Sequence, residues 1–253
     1  MSAVTDRFRA LHRPGAPLLI PNPWDVGSAR RFAALGFTAL ATTSSGFAAT
    51  LGLHDGEPSR EVVLAHCAAL VGAVEIPVSA DLESGFGETL EEVADTYARA
   101  ARAGLAGASI EDTTGDEAEP IRDRDAAADR VRAAVAAAHA VDPGFVVTGR
   151  ADNFFHGRTD LADTIARLQA YQEAGADVLY APALTRPADI RAVVTSVDRP
   201  VNVLLRPTGP SVAELAALGV ARISVGGRIA FTAFAAGDAA ARAFLEAGRP
   251  QAD

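Results

Sequence analysis

Short apolar runs alternate with longer alanine-rich segments along the whole chain. The apolar runs predict strands at 17–20, 37–42, 76–80, 107–110, 145–148, 177–180, 201–204 and 222–225. The alanine-rich segments have helical spacing and predict helices at 27–35, 60–74, 89–103, 124–140, 161–174, 187–196, 211–218 and 228–248. Glycine follows several predicted helices and is expected to end them in a left-handed conformation, at Gly36, Gly104, Gly175 and Gly219.

Eight strand-then-helix units in one uninterrupted series favour a closed parallel barrel over an open sheet. The length of 253 residues suits one such barrel, and no linker or shift in composition divides the chain. The sequence therefore predicts an α/β fold, a (β/α)8 barrel of TIM type, formed by residues 1–253 as a single domain.

Polar side chains follow nearly every predicted strand. In such barrels chemistry takes place at the carboxyl ends of the strands, where these residues would converge. Several acids and an arginine on one rim indicate a metal site for an anionic substrate, although polar strand ends also occur without function. In chain order the residues are Asn22, Trp24, Asp25, Thr42, Thr43, Ser44, Ser45, Gly46, Asp81, Glu83, Glu111, Asp112, Arg150, Asp152, Asn153, Tyr180 and Arg206.

The exit of the third predicted strand carries the strongest signal. Asp81 and Glu83 are separated by one residue and are followed by Gly85 and Gly87. Carboxylates of this kind suit a hard cation such as Mg²⁺, which takes one or two of them and completes its shell with water and substrate. The alternative interpretation is a solvated turn with two surface acids.

Composition narrows the range of functions. A net charge of −9 argues against nucleic acid or an anionic membrane as a partner. No long apolar run or signal-peptide pattern is present, so we expect a cytoplasmic protein. The chain has a single cysteine, Cys67, so it cannot form an intrachain disulfide. We expect Cys67 to be an unreactive residue packed inside its helix layer. The chain has no lysine, which excludes Schiff-base aldolases and lysine-anchored pyridoxal-phosphate enzymes.

Six segments together resemble the isocitrate lyase and phosphoenolpyruvate mutase superfamily. They occur in the family's order and span most of the chain, so the joint match is specific although no single segment is. The segments are 21–29, 44–47, 51–56, the motif Asp81-Leu82-Glu83-Ser84-Gly85-Phe86-Gly87, Ser109-Ile110-Glu111-Asp112 and Gly149-Arg150-Ala151-Asp152.

The resemblance implies a role for each matching residue. Asp81 would be the main contact of a Mg²⁺ ion, with Mn²⁺ as a substitute, and Asp55, Glu83 and Glu111 would hold metal-bound waters. Arg150, Glu111 and Asp55 would be the catalytic residues. Residues expected to contact a small carboxylate substrate are Trp24, Ser44, Ser45, Gly46, Phe47, Asp81, Arg150, Asn153 and Tyr180.

The resemblance also implies a reaction. Family reactions pass through the enolate of a 2-oxo acid, which predicts a Mg²⁺-dependent lyase that breaks a C–C bond in a small 2-hydroxy or 2-oxo di- or tricarboxylate. The lyase loop with a catalytic cysteine is replaced here by 113–122, which has neither cysteine nor lysine. Two alternatives therefore stay open: a phosphonate mutase or hydrolase acting on a P–C bond, and a metal-binding barrel without catalysis.

Two further expectations concern loop 112–122 and the last helix. The loop follows Glu111 directly, is rich in Gly, Thr and acids, and lacks apolar anchors, so we expect a mobile lid. The last helix carries Phe231, Phe234 and Phe244 at helical spacing. In the family, terminal helices are exchanged between neighbouring barrels, which predicts a swapped C-terminal helix and a homotetramer built from two dimers.

Overall fold

The computed structural model describes residues 3–247, which alternate between strands and helices. The strands are β1 (Leu18–Ile20), β2 (Leu40–Ala41), β3 (Val78–Asp81), β4 (Gly107–Glu111), β5 (Val146–Arg150), β6 (Val178–Tyr180), β7 (Val201–Leu204) and β8 (Arg222–Ser224). The helices are α1 (Ala3–Ala10), α2 (Val26–Ala34), α3 (Ser44–Thr50), α4 (Arg60–Val71), α5 (Leu90–Arg102), α6 (Arg124–Val141), α7 (Leu161–Glu173), α8 (Pro187–Ser196), α9 (Val212–Ala217) and α10 (Arg228–Ala247).

The eight strands form one parallel sheet that curls into a nearly closed barrel. From β2 to β8 each strand pairs with the next one in sequence, and β8 returns to pair with β1. Across the remaining seam the Ala41 N–H donates to the Pro21 carbonyl at 3.1 Å. The predicted (β/α)8 barrel is therefore confirmed, and its parallel strands direct all eight carboxyl ends to one rim.

The helices pack their apolar stripes on the outside of the sheet. In α5 the buried residues are Val93, Thr96, Tyr97 and Ala100, which share one helix face, while the N-terminus is closed by a capping box between Thr89 and Glu92. The four glycines predicted to end helices all have positive φ, between 87° and 103°. These local signals explain why each helix ends where the chain turns back into the barrel.

Several predicted boundaries are wrong. Helices α1 and α3 were not predicted, because α1 is short and mostly polar and α3 lies in a segment expected to be a loop. Strand β2 covers only Leu40–Ala41 instead of 37–42, since Gly36 and Phe37 still belong to the turn after α2. The predicted end of the last helix at Gly248 lies outside the described residues.

The single cysteine lies in the packed layer between α4 and the sheet. Cys67 has no solvent-exposed surface, and burial raises the pKa of its thiol to about 12. The predicted buried packing is confirmed. We expect iodoacetamide to leave the native protein unlabelled and its activity unchanged, because the thiolate is the reactive form. Mass spectrometry of native and urea-unfolded samples checks this; rapid labelling of the native protein would contradict it.

Among the helices of residues 3–247, none is both long enough and apolar enough to cross a membrane.

Candidate active site at the carboxyl rim of the barrel

A cavity of about 830 Å³ opens at the carboxyl ends of the strands. Residues from β1 through β8 contribute to its wall, and the loop after β4 covers one side. Of the residues predicted to form the site, those that line the cavity are Asn22, Thr43, Ser44, Ser45, Asp55, Asp81, Glu83, Glu111, Arg150, Asp152 and Tyr180. The barrel thus gathers residues that are separated by more than one hundred positions in the sequence.

Asp81 is held in place at the end of β3 by two neighbouring hydroxyl groups. The Ser44 hydroxyl donates to Asp81 Oδ2 at 3.0 Å, and the Asp81 N–H donates to Thr42 Oγ1 at 2.9 Å. Just beyond it, Glu83 adopts a left-handed backbone with a φ of 51°. This conformation is uncommon for a residue with a side chain and costs free energy, which marks the turn as a specialised one.

Arg150 is a cation at the rim of the cavity and is surrounded by acids. Its Nε and Nη2 atoms donate to both carboxylate oxygens of Asp152, at 2.6 and 2.7 Å. Its Nη1 atom lies 2.8 Å from Glu111 and 3.8 Å from Asp81. These charges hold the pKa of Arg150 above its usual range although burial acts against it. The two-pronged contact with Asp152 fixes the plane of the guanidinium.

Glu111 and Arg150 face each other because β4 and β5 pair in register at these two residues. The Thr113 hydroxyl donates to the other oxygen of Glu111 at 2.7 Å. Glu111 is therefore oriented from both sides, with one oxygen toward Arg150 and the other toward Thr113.

Asp112 lies behind the site, although its position at a strand exit predicted that it would face the rim. Its carboxylate is 1% exposed and accepts from the Tyr171 hydroxyl at 2.7 Å and from the Asp152 N–H at 2.9 Å. It also forms an ion pair with Arg167 at 3.2 Å. Because successive residues of a strand point to opposite faces, Glu111 and Asp112 could not both enter the cavity. Asp112 instead anchors the segment that carries Asp152.

The surroundings of three carboxylates in the cavity raise their pKa values and so oppose their ionisation. Burial, with the charges of Asp81 and Asp55, raises the pKa of Glu83 to about 8. Burial also raises the pKa of Glu111, and partial desolvation raises that of Asp55. Asp81 contributes repulsion to all three. The cluster carries more negative charge than Arg150 alone neutralises, which a bound cation would relieve.

A metal ion would be held here by few direct protein ligands. Within the described part of the chain, no three His, Cys, Asp or Glu side chains are grouped closely enough to hold an ion by themselves. Mg²⁺ commonly takes one or two carboxylates and fills its octahedral shell with water and substrate oxygens. The oxygen-only donor set around Asp81 fits a hard divalent cation bound in that manner.

Tyr180 completes the wall opposite the acids. The Arg150 guanidinium lies over its ring, 5.6 Å from the centroid. Burial raises the pKa of the Tyr180 hydroxyl to about 12, so the group keeps its proton at neutral pH. It is therefore a hydrogen-bond or proton donor rather than a base.

Four of the residues predicted to contact substrate do not line the cavity: Trp24, Gly46, Phe47 and Asn153. Phe47 is buried and stacks on His66, while Trp24 packs against Phe32 and Phe234. The N–H groups of Gly46 and Phe47 donate to Thr43 in the first turn of α3. The Asn153 amide donates to Asp163 at 2.7 Å, on the outer side of the barrel.

The loop after β4 is a short hairpin, which we call the β4 hairpin (residues 113–121). Thr113 and Ile121 form an antiparallel bridge, and the Thr114 N–H donates to the Pro120 carbonyl at 3.0 Å. Ile121 is only 5% exposed, so the expected absence of apolar anchors is wrong. Ile121 is one apolar residue within a polar segment, so the composition of the loop did not predict that it would be buried. The tip, residues 115–119, is exposed and stands over the cavity.

Sequence reasoning missed the polar floor of the cavity. TIM-type barrels usually fill their interior with bulky branched side chains. Here polar residues occupy five inward positions two residues before the strand ends, and also the last position of β8. A signal was present, because these residues alternate with apolar ones within the predicted strands. They are Ser79, Ser109, Thr148, Asn202, Arg222 and Ser224.

Comparisons with known proteins agree with the fold and with the motifs. The family model of phosphoenolpyruvate phosphomutase matches residues 8–245. The 2-methylisocitrate lyase of Escherichia coli (strain K12) is 34% identical over 202 residues, which are 77% of this chain and 67% of that enzyme.

Two solved structures are similar to this chain over nearly its whole length. A protein of Burkholderia cenocepacia J2315, for which a lyase or mutase activity has been suggested, is 51% identical with a TM-score of 0.93, covering 97% of this chain and 90% of that one. The crystal structure of 2,3-dimethylmalate lyase is 29% identical with a TM-score of 0.90, covering 100% of this chain and 91% of that one. The chain therefore belongs to the phosphoenolpyruvate phosphomutase family, within the isocitrate lyase and phosphoenolpyruvate mutase superfamily.

Proposed function

We propose that the protein is a Mg²⁺-dependent lyase that cleaves a C–C bond of a small 2-hydroxy or 2-oxo di- or tricarboxylate. Decarboxylation of an oxaloacetate-like acid is included and would leave the enolate of a 2-oxo acid. Cleavage of a 2-hydroxy acid would instead convert its hydroxyl carbon, with loss of the hydroxyl proton, into the 2-oxo acid and leave the bonding electrons on the other carboxylate fragment as its enolate. The observation that carries this proposal is the cluster of Asp55, Asp81, Glu83 and Glu111 beside Arg150 in one cavity. Mn²⁺ is expected to substitute for Mg²⁺.

The acids divide into two roles toward the ion. Asp81 would contact it directly, while Asp55, Glu83 and Glu111 would hold water molecules of its shell. The ion, when bound, supplies Lewis-acid stabilisation of the negative charge on the oxygens of the 2-oxo acid. Ser44 and Thr113 keep their acids oriented through the hydrogen bonds described above.

Arg150 would bind substrate oxygens and stabilise the enolate. Its guanidinium is already fixed by Asp152, so little reorganisation is needed when charge develops on the substrate. Ser44 and Ser45 line the cavity beside it and would supply further donors to the substrate carboxylate.

A proton must still be returned to the enolate carbon after cleavage. The β4 hairpin has no cysteine, but Tyr180 lines the cavity with a hydroxyl that stays protonated. The Tyr180 hydroxyl is therefore our candidate for the proton donor.

The decisive experiment is a substrate panel. The Mg²⁺-loaded protein is incubated with oxaloacetate, 2-methylisocitrate, 2,3-dimethylmalate and phosphonopyruvate, while pyruvate, other 2-oxo acids and phosphate are followed. A 2-oxo acid released from a carboxylate substrate only when Mg²⁺ or Mn²⁺ is present supports the proposal. No turnover of any carboxylate would refute it.

Phosphonate chemistry is the second candidate, because the matching family model is that of phosphoenolpyruvate phosphomutase. Phosphate release or rearrangement of phosphonopyruvate in the same panel would favour it. Tight binding of Mg²⁺ and 2-oxo acids without turnover of any compound would instead favour a metal-binding barrel with a non-catalytic role.

We expect the β4 hairpin to act as a lid over the cavity. Replacing residues 113–119 by a Gly/Ser linker should lower kcat by roughly 10²-fold, because water would reach the enolate and Glu111 would lose the Thr113 hydroxyl. Mg²⁺ affinity, measured by calorimetry, should change little because Asp81 is untouched. An unaltered kcat would show that the hairpin is no lid.

The last helix supports the proposed homotetramer with exchanged terminal helices. Phe231, Phe244 and Leu245 are 48%, 56% and 84% exposed on α10, which is a large apolar surface for an isolated barrel. Light scattering at micromolar concentration should give a tetramer, with a dimer as the next possibility. The double change Phe244→Glu and Leu245→Glu should shift the mass downward. A wild-type monomer would contradict the exchange.

A further inference from the structure

The floor of the cavity contains a buried guanidinium without an acidic partner. Arg222 of β8 is 5% exposed and is held by three neutral groups from three elements. Its Nε donates to Asn202 Oδ1 and its Nη2 to Thr148 Oγ1, both at 3.0 Å, while its Nη1 lies 3.3 Å from His12 Nε2. Within residues 3–247, no carboxylate lies within salt-bridge distance of Arg222.

Two other buried arginines of the barrel are neutralised by acids, and a third, Arg130, donates to the backbone carbonyls of Ser84, Gly87 and Glu88. Arg150 is paired with Asp152 and Glu111, and Arg167 with Asp112 and Asp163. Burial lowers the pKa of Arg222 to about 10, which shows that its charge is poorly compensated. A charge withdrawn from water without a partner is costly, so its presence calls for a compensating anion.

The position of Arg222 connects it to the substrate cavity. Arg222, Asn202 and Ser224 line the same cavity as Asp81 and Arg150. Thr148, which accepts from Arg222, precedes Arg150 by two residues on the same face of β5, so it lies roughly 6.6 Å below it along the strand. The guanidinium therefore stands one layer beneath the group expected to hold the 2-oxo acid.

Arg222 still has donors to offer. A guanidinium carries five N–H groups, and its three described contacts leave two of them without a partner in the described structure. A carboxylate accepts two parallel N–H groups from one arginine, so the chemistry on the floor suits that group.

We propose that Arg222, supported by Asn202, binds a second carboxylate of the substrate at the floor of the barrel. This inference rests on the proposed function and assigns Arg222 as the residue that binds the far carboxylate of its di- or tricarboxylate substrate. Arg150 and the acids at the rim would then hold the reacting end.

The test compares two stable ligands that differ only at the far end. Calorimetry of the Mg²⁺-loaded protein is carried out with 2-oxoglutarate and with 2-oxopentanoate, which has the same chain length but ends in a methyl group. We expect wild type to prefer 2-oxoglutarate by roughly tenfold or more, as for a charge-assisted hydrogen bond. In Arg222→Gln the preference should disappear while the affinity for 2-oxopentanoate stays within about twofold.

A second variant, Asn202→Asp, distinguishes a role of Arg222 in ligand binding from a role in stabilising the barrel. It also provides a test if Arg222→Gln does not fold. Asn202→Asp is nearly isosteric and places a carboxylate beside Arg222. It should raise the Tm, because the buried charge gains an internal partner, and it should abolish the preference for 2-oxoglutarate. A higher Tm with an unchanged preference would mean that Arg222 only braces the barrel, and would overturn the proposal.

Two further outcomes are decisive against the floor site. Equal affinity of wild type for the two acids, or an equal loss of both in Arg222→Gln, would overturn it while leaving the proposed function intact. Failure of the proposed function has a different signature: neither acid binds to Mg²⁺-loaded wild type, and the inference then falls with it.

Discussion

Asp81→Asn should abolish turnover and weaken Mg²⁺ binding by more than about a hundredfold, because loss of a direct ligand should exceed the effect of an outer one. Glu83→Gln and Glu111→Gln are expected to be milder, since their contacts with the ion would run through water. Calorimetric titration with Mg²⁺ and Mn²⁺ measures the affinities, and the substrate panel measures turnover.

Asp81→Asn is not expected to destabilise the metal-free protein, although it should weaken Mg²⁺ binding. The Asp81 charge raises the pKa values of Asp55, Glu83 and Glu111, which means that it repels their ionised forms. Removing it should leave the metal-free Tm unchanged or higher, whereas the rise in Tm on adding Mg²⁺ should vanish. Unchanged Mg²⁺ affinity in Asp81→Asn would refute the metal assignment, and a simple loss of stability would indicate a structural role.

Arg150→Gln should lower both the catalytic rate and the stability of the protein. Loss of one positioned donor to a developing oxyanion typically lowers kcat by about 10²–10³-fold. The change also leaves Asp152 and Glu111 without their cation, and breaking a buried ion pair from one side typically costs about 3–5 kcal/mol. Urea unfolding monitored by circular dichroism would measure the stability, and steady-state kinetics the rate.

Arg150→Lys separates the two contributions. Lysine keeps the positive charge but lacks the planar fork that contacts both oxygens of Asp152. We expect it to recover most of the stability and to remain impaired in kcat. Wild-type kcat in Arg150→Lys would show that a charge alone is sufficient, and that the fixed plane of the guanidinium has no part in catalysis.

Much of this site could be predicted because it follows from local order in the chain. Asp81, Glu111 and Arg150 follow successive predicted strands and end the observed β3, β4 and β5, and parallel strands in a barrel bring their carboxyl ends to one rim. Their proximity therefore required only the correct fold. The resemblance to a known family supplied the roles, which strand order alone does not give.

Other residues were placed only by three-dimensional packing. Glu111 and Asp112 are adjacent acids, yet one faces the cavity and the other binds Tyr171 and Arg167 from a helix about 50–60 residues later in the chain. Trp24 packs against Phe234, which is more than two hundred residues away in the sequence, and so does not line the cavity. Periodicity shows which residues share a face, but not which face points to the barrel axis.

The sequence by itself determined the alternation of strands and helices, the glycine-ended turns and the convergence of acids on one rim, because each depends on neighbours along the chain. Only the tertiary structure decided that Arg222 stands on the cavity floor without an acid. That outcome depends on what β5, β7 and the segment after α1 present to it across the closed barrel. Distant partners set the electrostatic balance of a buried charge, and their arrangement arises only when the barrel closes.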